Sequence, residues 1–325
     1  MGTILVTGGT GFIGKNLINR LTEAGHQVRT LIRPSENSPD LPKGVPVQAV
    51  VAGFNDVRGL RAAMVGVDTI YHLAGAEWHG AYASLMAVDI EGTRTIVDVA
   101  AEAGVNRIFY VSHLGADRAS AYPVMKAKAI AEEHVRRSGL DYTIFRSAIV
   151  FGPDDGFTTG LGFILKFFPF IFMLPGDGKT VLQPIWIEDL IACLTWSLED
   201  QKTRNQIFEV GGSEYLSIQQ IVEIMIETMG LRRLILHLGI PYLRGLTVML
   251  ESIFPQIPIS VYWLDYLASN RTCAIDTLPR IFHLIPARFS VNTLDYLNDV
   301  NWRQILWRSL SSRQRIRRRS RTSPA

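Results

Sequence analysis

The sequence predicts an α/β fold, a doubly wound parallel sheet followed by a smaller, mostly helical C-terminal lobe. Three observations carry that expectation. Apolar, β-branched runs alternate with amphipathic runs from the start of the chain to Phe151. Amphipathic runs end at a glycine, and an apolar run follows at once. Beyond Phe151-Gly152-Pro153 the regular alternation stops. Consecutive parallel strands need a crossover, and a helix packed on the sheet supplies it with right-handed geometry.

The elements follow in order. ILVT opens as a strand, and GGTGFIGKNLINRLTEAG continues as a turn and a helix ending at Gly25. HQVRTLIRP and VPVQAVV are the next two strands, and VRGLRAAMVG is a helix with Asp56 as its cap. DTIYHLAG is a fourth strand, VDVAAEAG a helix ending at Gly104, and RIFYVSH a fifth strand. A further helix ends at Gly139, and DYTIFRSAIVFG follows as a strand. A glycine behind a helix takes the left-handed conformation that closes it, and the β-branched, aromatic run after it suits a strand buried on both faces.

This pattern divides the chain into a nucleotide-binding domain at 1–155 and 181–212, a substrate lobe at 156–180 and 213–308, and a basic tail at 309–325. In the lobe, SIQQIVEIMIETMG and YLRGLTVMLESIF read as helices, and RRLILHLGIP as a short strand. The most apolar run, LGFILKFFPFIFMLPG, carries Lys166 and Pro169 and is shorter than a membrane span requires. We therefore expect it to wall a pocket with Phe163, Phe167, Phe168, Phe170 and Phe172, joined by Trp186, or to be plain core.

The chain has 325 residues, 47% of them hydrophobic and 19% charged, as expected of a packed globule. Cys193 and Cys273 stand far apart, with no paired-cysteine or histidine cluster. They read as buried thiols in a reducing compartment, and no metal site is expected. MGTILVTGG enters an apolar strand without a basic leader, so a cytoplasmic location is expected.

The formal net charge is +3, and from Trp302 onward there are eight arginines and no acid, so the rest of the chain carries 3 − 8 = −5. Such a tail reads first as solvated chain with no specific partner; the helical spacing of Trp302, Ile305, Leu306 and Leu310 also permits an amphipathic segment on an anionic membrane surface at the inner face. No base-reading module accompanies it, so no specific nucleic acid is expected.

The first turn indicates the ligand. Gly8, Gly11 and Gly14 fall between the first strand and the first helix, where bare backbone can approach a pyrophosphate and helix-end amides can hold its charge. Thr7, Thr10, Phe12 and Ile13 complete that loop. At the end of the second strand Ile32 stands where an acid would bind a ribose 2′-hydroxyl, and Arg33 follows. A guanidinium holds a 2′-phosphate with paired hydrogen bonds, so NADP is expected over NAD.

TGGTGFIG, HLAG (72–75), DIEGTRTIVDVA and GDGKTVLQPIWIEDL together resemble the extended short-chain dehydrogenase/reductase superfamily. More narrowly they resemble the atypical branch of the mitochondrial complex I 39-kDa accessory subunit and its bacterial relatives. The resemblance implies a Rossmann fold, with Ala74 and Gly75 against the cofactor. It also implies roles for Tyr122 and Lys126, four apart at the start of the helix behind the fifth strand. Tyr122 would pass a proton to or from the substrate oxygen, and Lys126 would tune it and bind the nicotinamide ribose. Where active relatives carry Ser or Thr, this chain has His113, a candidate hydrogen-bond donor or proton shuttle, and Ser112 one residue early faces the other way. Gly53 replaces an acid that often holds the adenine.

Three functions are weighed from these residues. One is an oxidoreductase on a small hydrophobic hydroxy or keto substrate of quinone, isoprenoid or sterol type. The alternative is a non-catalytic NADPH-binding accessory or assembly protein, and a third reading is epimerase/dehydratase chemistry with retained NAD.

Overall fold

Alternate residues of β1 (Thr3–Thr7) face opposite sides of one sheet, and both sides are apolar. Ile4 and Val6 pack with Leu17, Ile18 and Leu21 of α1 (Phe12–Glu23), while Leu5 packs on the other side. A strand apolar on both faces must lie between two helical layers, which is the arrangement found in this computed structural model. It describes residues 2–34, 40–76, 84–253 and 261–307.

Next come β2 (Gln27–Ile32), β3 (Val47–Val51), α2 (Val57–Met64) and β4 (Val67–His72). A π-helical turn at Met86–Ile90 leads into α3 (Glu91–Glu102). β5 (Arg107–His113), α4 (Pro123–Arg137) and β6 (Asp141–Ser147) complete the expected series. Asp56 caps α2 by accepting the Gly59 N–H at 3.0 Å, as its position suggested.

The lobe and the return to the sheet comprise β7 (Val150–Phe151), α5 (Phe157–Phe167), β8 (Ile171–Pro175), β9 (Val181–Leu182), β10 (Ile185–Trp186) and α6 (Ile187–Glu199). They continue with β11 (Gln206–Val210), β12 (Leu216–Ser217), α7 (Ile218–Thr228), β13 (Leu234–Leu238), α8 (Ile240–Ile253), α9 (Val261–Tyr266), α10 (Thr277–Phe282) and α11 (Tyr296–Asp299).

The main sheet has seven strands in the order β3-β2-β1-β4-β5-β6-β11, all parallel. Strand order reverses between β1 and β4, and such a switch point opens a crevice at the carboxyl ends of the strands. The first helix and α6 cover one face; α2, α3 and α4 cover the other. A third apolar cluster, containing Phe157, Phe163, Phe172, Ile221, Leu294 and Trp302, forms the lobe. Among the described residues no helix is long and apolar enough to cross a membrane. Residues 302–307 are helical, and Leu310 and the tail at 309–325 lie outside the described residues.

Candidate functional site: a nucleotide cavity at the switch point

The loop after β1 fits a pyrophosphate because side chains are excluded from it. Gly8 has φ 75°, and a Cβ there would come within 2.8 Å of the Ala74 nitrogen. A Cβ on Gly14 would lie 2.2 Å from the Gly8 carbonyl oxygen. Gly11 differs, since its Cβ would meet only the Gly8 oxygen, at 3.2 Å, with open space beyond. The first helix makes its first backbone bond from Lys15 N–H to the Gly11 carbonyl, at 2.9 Å. The amides of Phe12, Ile13 and Gly14 precede that ladder, and no acidic side chain occupies the first turn. Three helix-end amides beside a glycine-lined opening make an anion site.

That opening belongs to a cavity of about 440 Å³ along the carboxyl ends of β2, β1, β4, β5 and β6. Gly8, Thr10, Gly11, Phe12, Ile13, Gly14, Arg33, Ala74 and Gly75 all line it, so most of the expected cofactor contacts come together. Thr7 and Lys126 are the exceptions. Thr7 is fully buried, with its hydroxyl 2.6 Å from His72 Nδ1. The other ring nitrogen of His72 sits 2.9 Å from the Thr93 hydroxyl, which donates to the Asp89 carbonyl at 2.6 Å. With its hydrogen used there, Thr93 must accept from His72 Nε2–H, so Nδ1 accepts from Thr7. Burial, reinforced by the nearby Lys128 charge, pushes the His72 pKa from 6.5 down to about 3, and the ring is neutral.

At the β5 and β6 side the cavity is lined by His113, Tyr122, Val124, Met125, Lys128, Ile149 and Tyr266. His113 faces it, whereas Ser112 is fully buried on the other side of the strand. The ring of Tyr266 meets His113 edge-on at 5.9 Å and carries the Arg271 guanidinium at 5.0 Å. Arg271 is anchored by donating to the carbonyls of Tyr266 at 3.2 Å and Leu114 at 3.1 Å. Gly115 leaves room for it, since a Cβ there would lie 2.2 Å from Arg271 Nη1. This bracing fixes the wall behind His113.

Lys126 is not brought to the cavity. The helix begins at Pro123, and Tyr122 is its cap with extended backbone, φ −89° and ψ 120°. Tyr122 therefore stands outside the helical repeat, and the shared face expected of residues four apart does not apply. Lys126 is exposed, and Lys128 lines the cavity instead, four residues after Val124. Its Nζ lies 2.9 Å from Asp89 Oδ1, with side-chain exposures of 4% and 0%. Asp89 Oδ2 also accepts the Ala76 N–H at 3.1 Å, which ties the end of β4 to the π-helical turn. Lys128, Asp89 and Tyr266 were missed in the sequence; Pro123 was the signal, since proline favours the first helical position and so fixes the helix face.

Of the two readings of the aromatic run, plain core holds for Phe163 and Phe172, and the pocket wall is corrected. Phe163 and Phe172 are buried in the lobe core, Phe167 and Trp186 pack against it, and Phe168 and Phe170 are exposed. None lines the cavity: α5 and β8 turn their buried residues toward α7 and the C-terminal segment, and Trp186 of β10 packs on Phe151 and Tyr296.

A parallel doubly wound sheet with an anion-binding first turn defines a dinucleotide-binding protein, and a family model described as NAD(P)H-binding matches residues 8–163. The chain belongs to the extended short-chain dehydrogenase/reductase superfamily. A dihydroflavonol 4-reductase-like protein of Synechocystis is 32% identical over 243 residues, covering 67% of this chain and 69% of that protein. NADH dehydrogenase (ubiquinone) 1 alpha subcomplex subunit 9 of Arabidopsis thaliana is 30% identical over 229 residues, covering 68% of this chain and 56% of that protein. The chain thus spans little more than half the length of that relative. Among solved structures, an epimerase of Methanothermobacter thermautotrophicus matches with a TM-score of 0.73 at 18% identity, covering 94% of both chains, and shares the fold.

Proposed function

We propose that this protein is an NADP(H)-dependent oxidoreductase acting on an apolar hydroxy or keto compound. The observation that carries the reading is that Tyr122 and His113 line the same cavity as the glycine loop. When bound, the nicotinamide supplies or accepts hydride. Tyr122 then holds the proton that passes to or from the substrate oxygen, and His113 hydrogen-bonds that oxygen in place of the usual hydroxyl. The valines, Met125 and Ile149 around them exclude water and favour an apolar substrate. Arg33, lining the cavity behind Ile32, favours a nucleotide carrying a 2′-phosphate.

A second reading has its own observation. Lys128 is the lysine of this wall, and its charge is engaged by Asp89 rather than open to the site. A site with that arrangement suits a protein that holds NADPH without turning it over, as an accessory or assembly subunit would. Epimerase/dehydratase chemistry is the weaker third reading.

Co-purified nucleotide, identified by mass, and turnover with a panel of quinones and apolar ketones separate these readings. The oxidoreductase reading expects NADPH oxidation that falls at least about a hundredfold in Tyr122→Phe, the size of a lost general acid. Stoichiometric NADPH that no substrate oxidises, unchanged in Tyr122→Phe, sinks that reading and leaves the accessory one.

A further inference from the structure

We propose that the outward apolar face of the β8–β13 ribbon, with the start of α8, is a docking surface for an anionic lipid bilayer. The two strands pair in parallel with Leu234 opposite Ile171 and Leu236 opposite Met173. All four side chains are exposed, while the alternate residues Phe172 and Leu174 enter the lobe core. A strand pair with one face in a core puts polar residues on the other, and this one puts four aliphatic and thioether side chains there. Phe170, 80% exposed, leads into the ribbon, and Tyr242, 76% exposed, stands on the helix that packs against it. A contiguous apolar patch of this kind marks an interaction surface.

Charge selects the occupant. Residues 156–176 contain Lys166 and no acid, and residues 230–250 contain Arg232, Arg233 and Arg244 and no acid. Lys166 and Arg232 are exposed; Arg244 is paired with Asp265 at 2.8 Å. The chain beyond this region adds to the same sign. Trp302, in the last described helix, packs against α5 at Gly162, and α5 leads directly into Phe170 and the ribbon. The sequence that continues from this helix, residues 308–325, contains seven arginines and no acid. Apolar side chains flanked by cations fit a bilayer with anionic headgroups, where two weak signals together give stable attachment. A second copy of the chain fits poorly, because two-fold symmetry would set these cations against one another.

Flotation of the full-length protein with vesicles tests the proposal, comparing phosphatidylcholine–phosphatidylglycerol with phosphatidylcholine alone. Binding to the anionic vesicles is expected, with at least a tenfold weaker partition for Phe170→Glu/Leu234→Glu and for Tyr242→Glu. These residues are exposed, so melting temperature and bound nucleotide should not change. Variants that bind as tightly as wild type show that the arginine tail alone suffices and overturn the proposal. Equal binding to neutral vesicles overturns the charge selection. Absence of vesicle binding, with or without a dimer that the substitutions dissociate, overturns the lipid assignment altogether.

Discussion

Lys128 and Asp89 form a salt bridge sealed from solvent, Nζ to Oδ1 at 2.9 Å, where the wall of the nucleotide cavity meets the π-helical turn. Removing one partner strands the other charge in a low-dielectric site. Lys128→Met should therefore destabilise the fold by about 3–5 kcal/mol. Lys128→Met/Asp89→Asn removes both charges and should recover most of that loss. Denaturant unfolding of the two variants checks this; equal destabilisation would show that the pair acts through packing alone.

The glycine loop offers a cleaner separation of folding from binding. Gly14→Ala forces a Cβ against the Gly8 carbonyl oxygen and should lower both stability and nucleotide affinity. Gly11→Ala meets one atom at 3.2 Å, and otherwise projects into the opening. It should melt close to wild type while losing at least about tenfold in affinity, roughly 1.4 kcal/mol. Calorimetric titration with NADPH beside a thermal melt distinguishes the two variants.

Acid stability should carry the mark of His72. In the folded state its pKa is about 3, against an ordinary value of 6.5, so as pH falls below about 6.5 the unfolded chain takes up a proton that the native ring refuses. Its contribution is lost with a slope of up to about 1.4 kcal/mol per pH unit. Asp155 works in the opposite sense. Burial raises its pKa from 3.8 to about 6 despite the donors around it, so the native state holds a proton there while the unfolded chain does not. The two effects offset each other between about pH 6 and 4, and the wild-type curve alone hides both. The difference between wild type and His72→Gln removes Asp155 from the comparison. That difference should shrink as pH falls below about 6.5, and a flat one would show that His72 is not neutral in the fold.

The sheet was legible because its central strands, β1, β4 and β5, are apolar on both faces and the helices α1 to α4 are each closed by a glycine, two signals that depend on neighbours in sequence. The cofactor loop was legible for the same reason. Tyr122 and Lys126 show where local reading stops. Their spacing suggested a shared helix face, yet the face depends on where the helix starts, and Pro123 starts it one residue too late for Tyr122. Lys128 was hidden because its partner, Asp89, comes from a different helix 39 residues earlier (128 − 89 = 39). In the sequence the aromatic run at 163–172 stays open between pocket wall and core, because hydrophobicity alone does not distinguish a pocket wall from a core or an outward face.

Arg33 gives the sharpest test of nucleotide choice. It follows the last residue of β2, is exposed, and lines the cavity beside Ile32, an apolar side chain that makes no demand on a ribose hydroxyl. If its guanidinium meets a 2′-phosphate, the interaction is between exposed charges, so it should weaken with salt as the Debye length shortens from about 10 Å at 0.1 M. NADPH affinity should therefore fall with added salt more steeply than NADH affinity. Arg33→Glu reverses the charge and should cost NADPH at least about tenfold, roughly 1.4 kcal/mol, while NADH changes little. Fluorescence titration of both nucleotides at two salt concentrations reads all four affinities. Equal losses for the two coenzymes would place Arg33 on the shared adenosine or pyrophosphate and remove the argument for NADP.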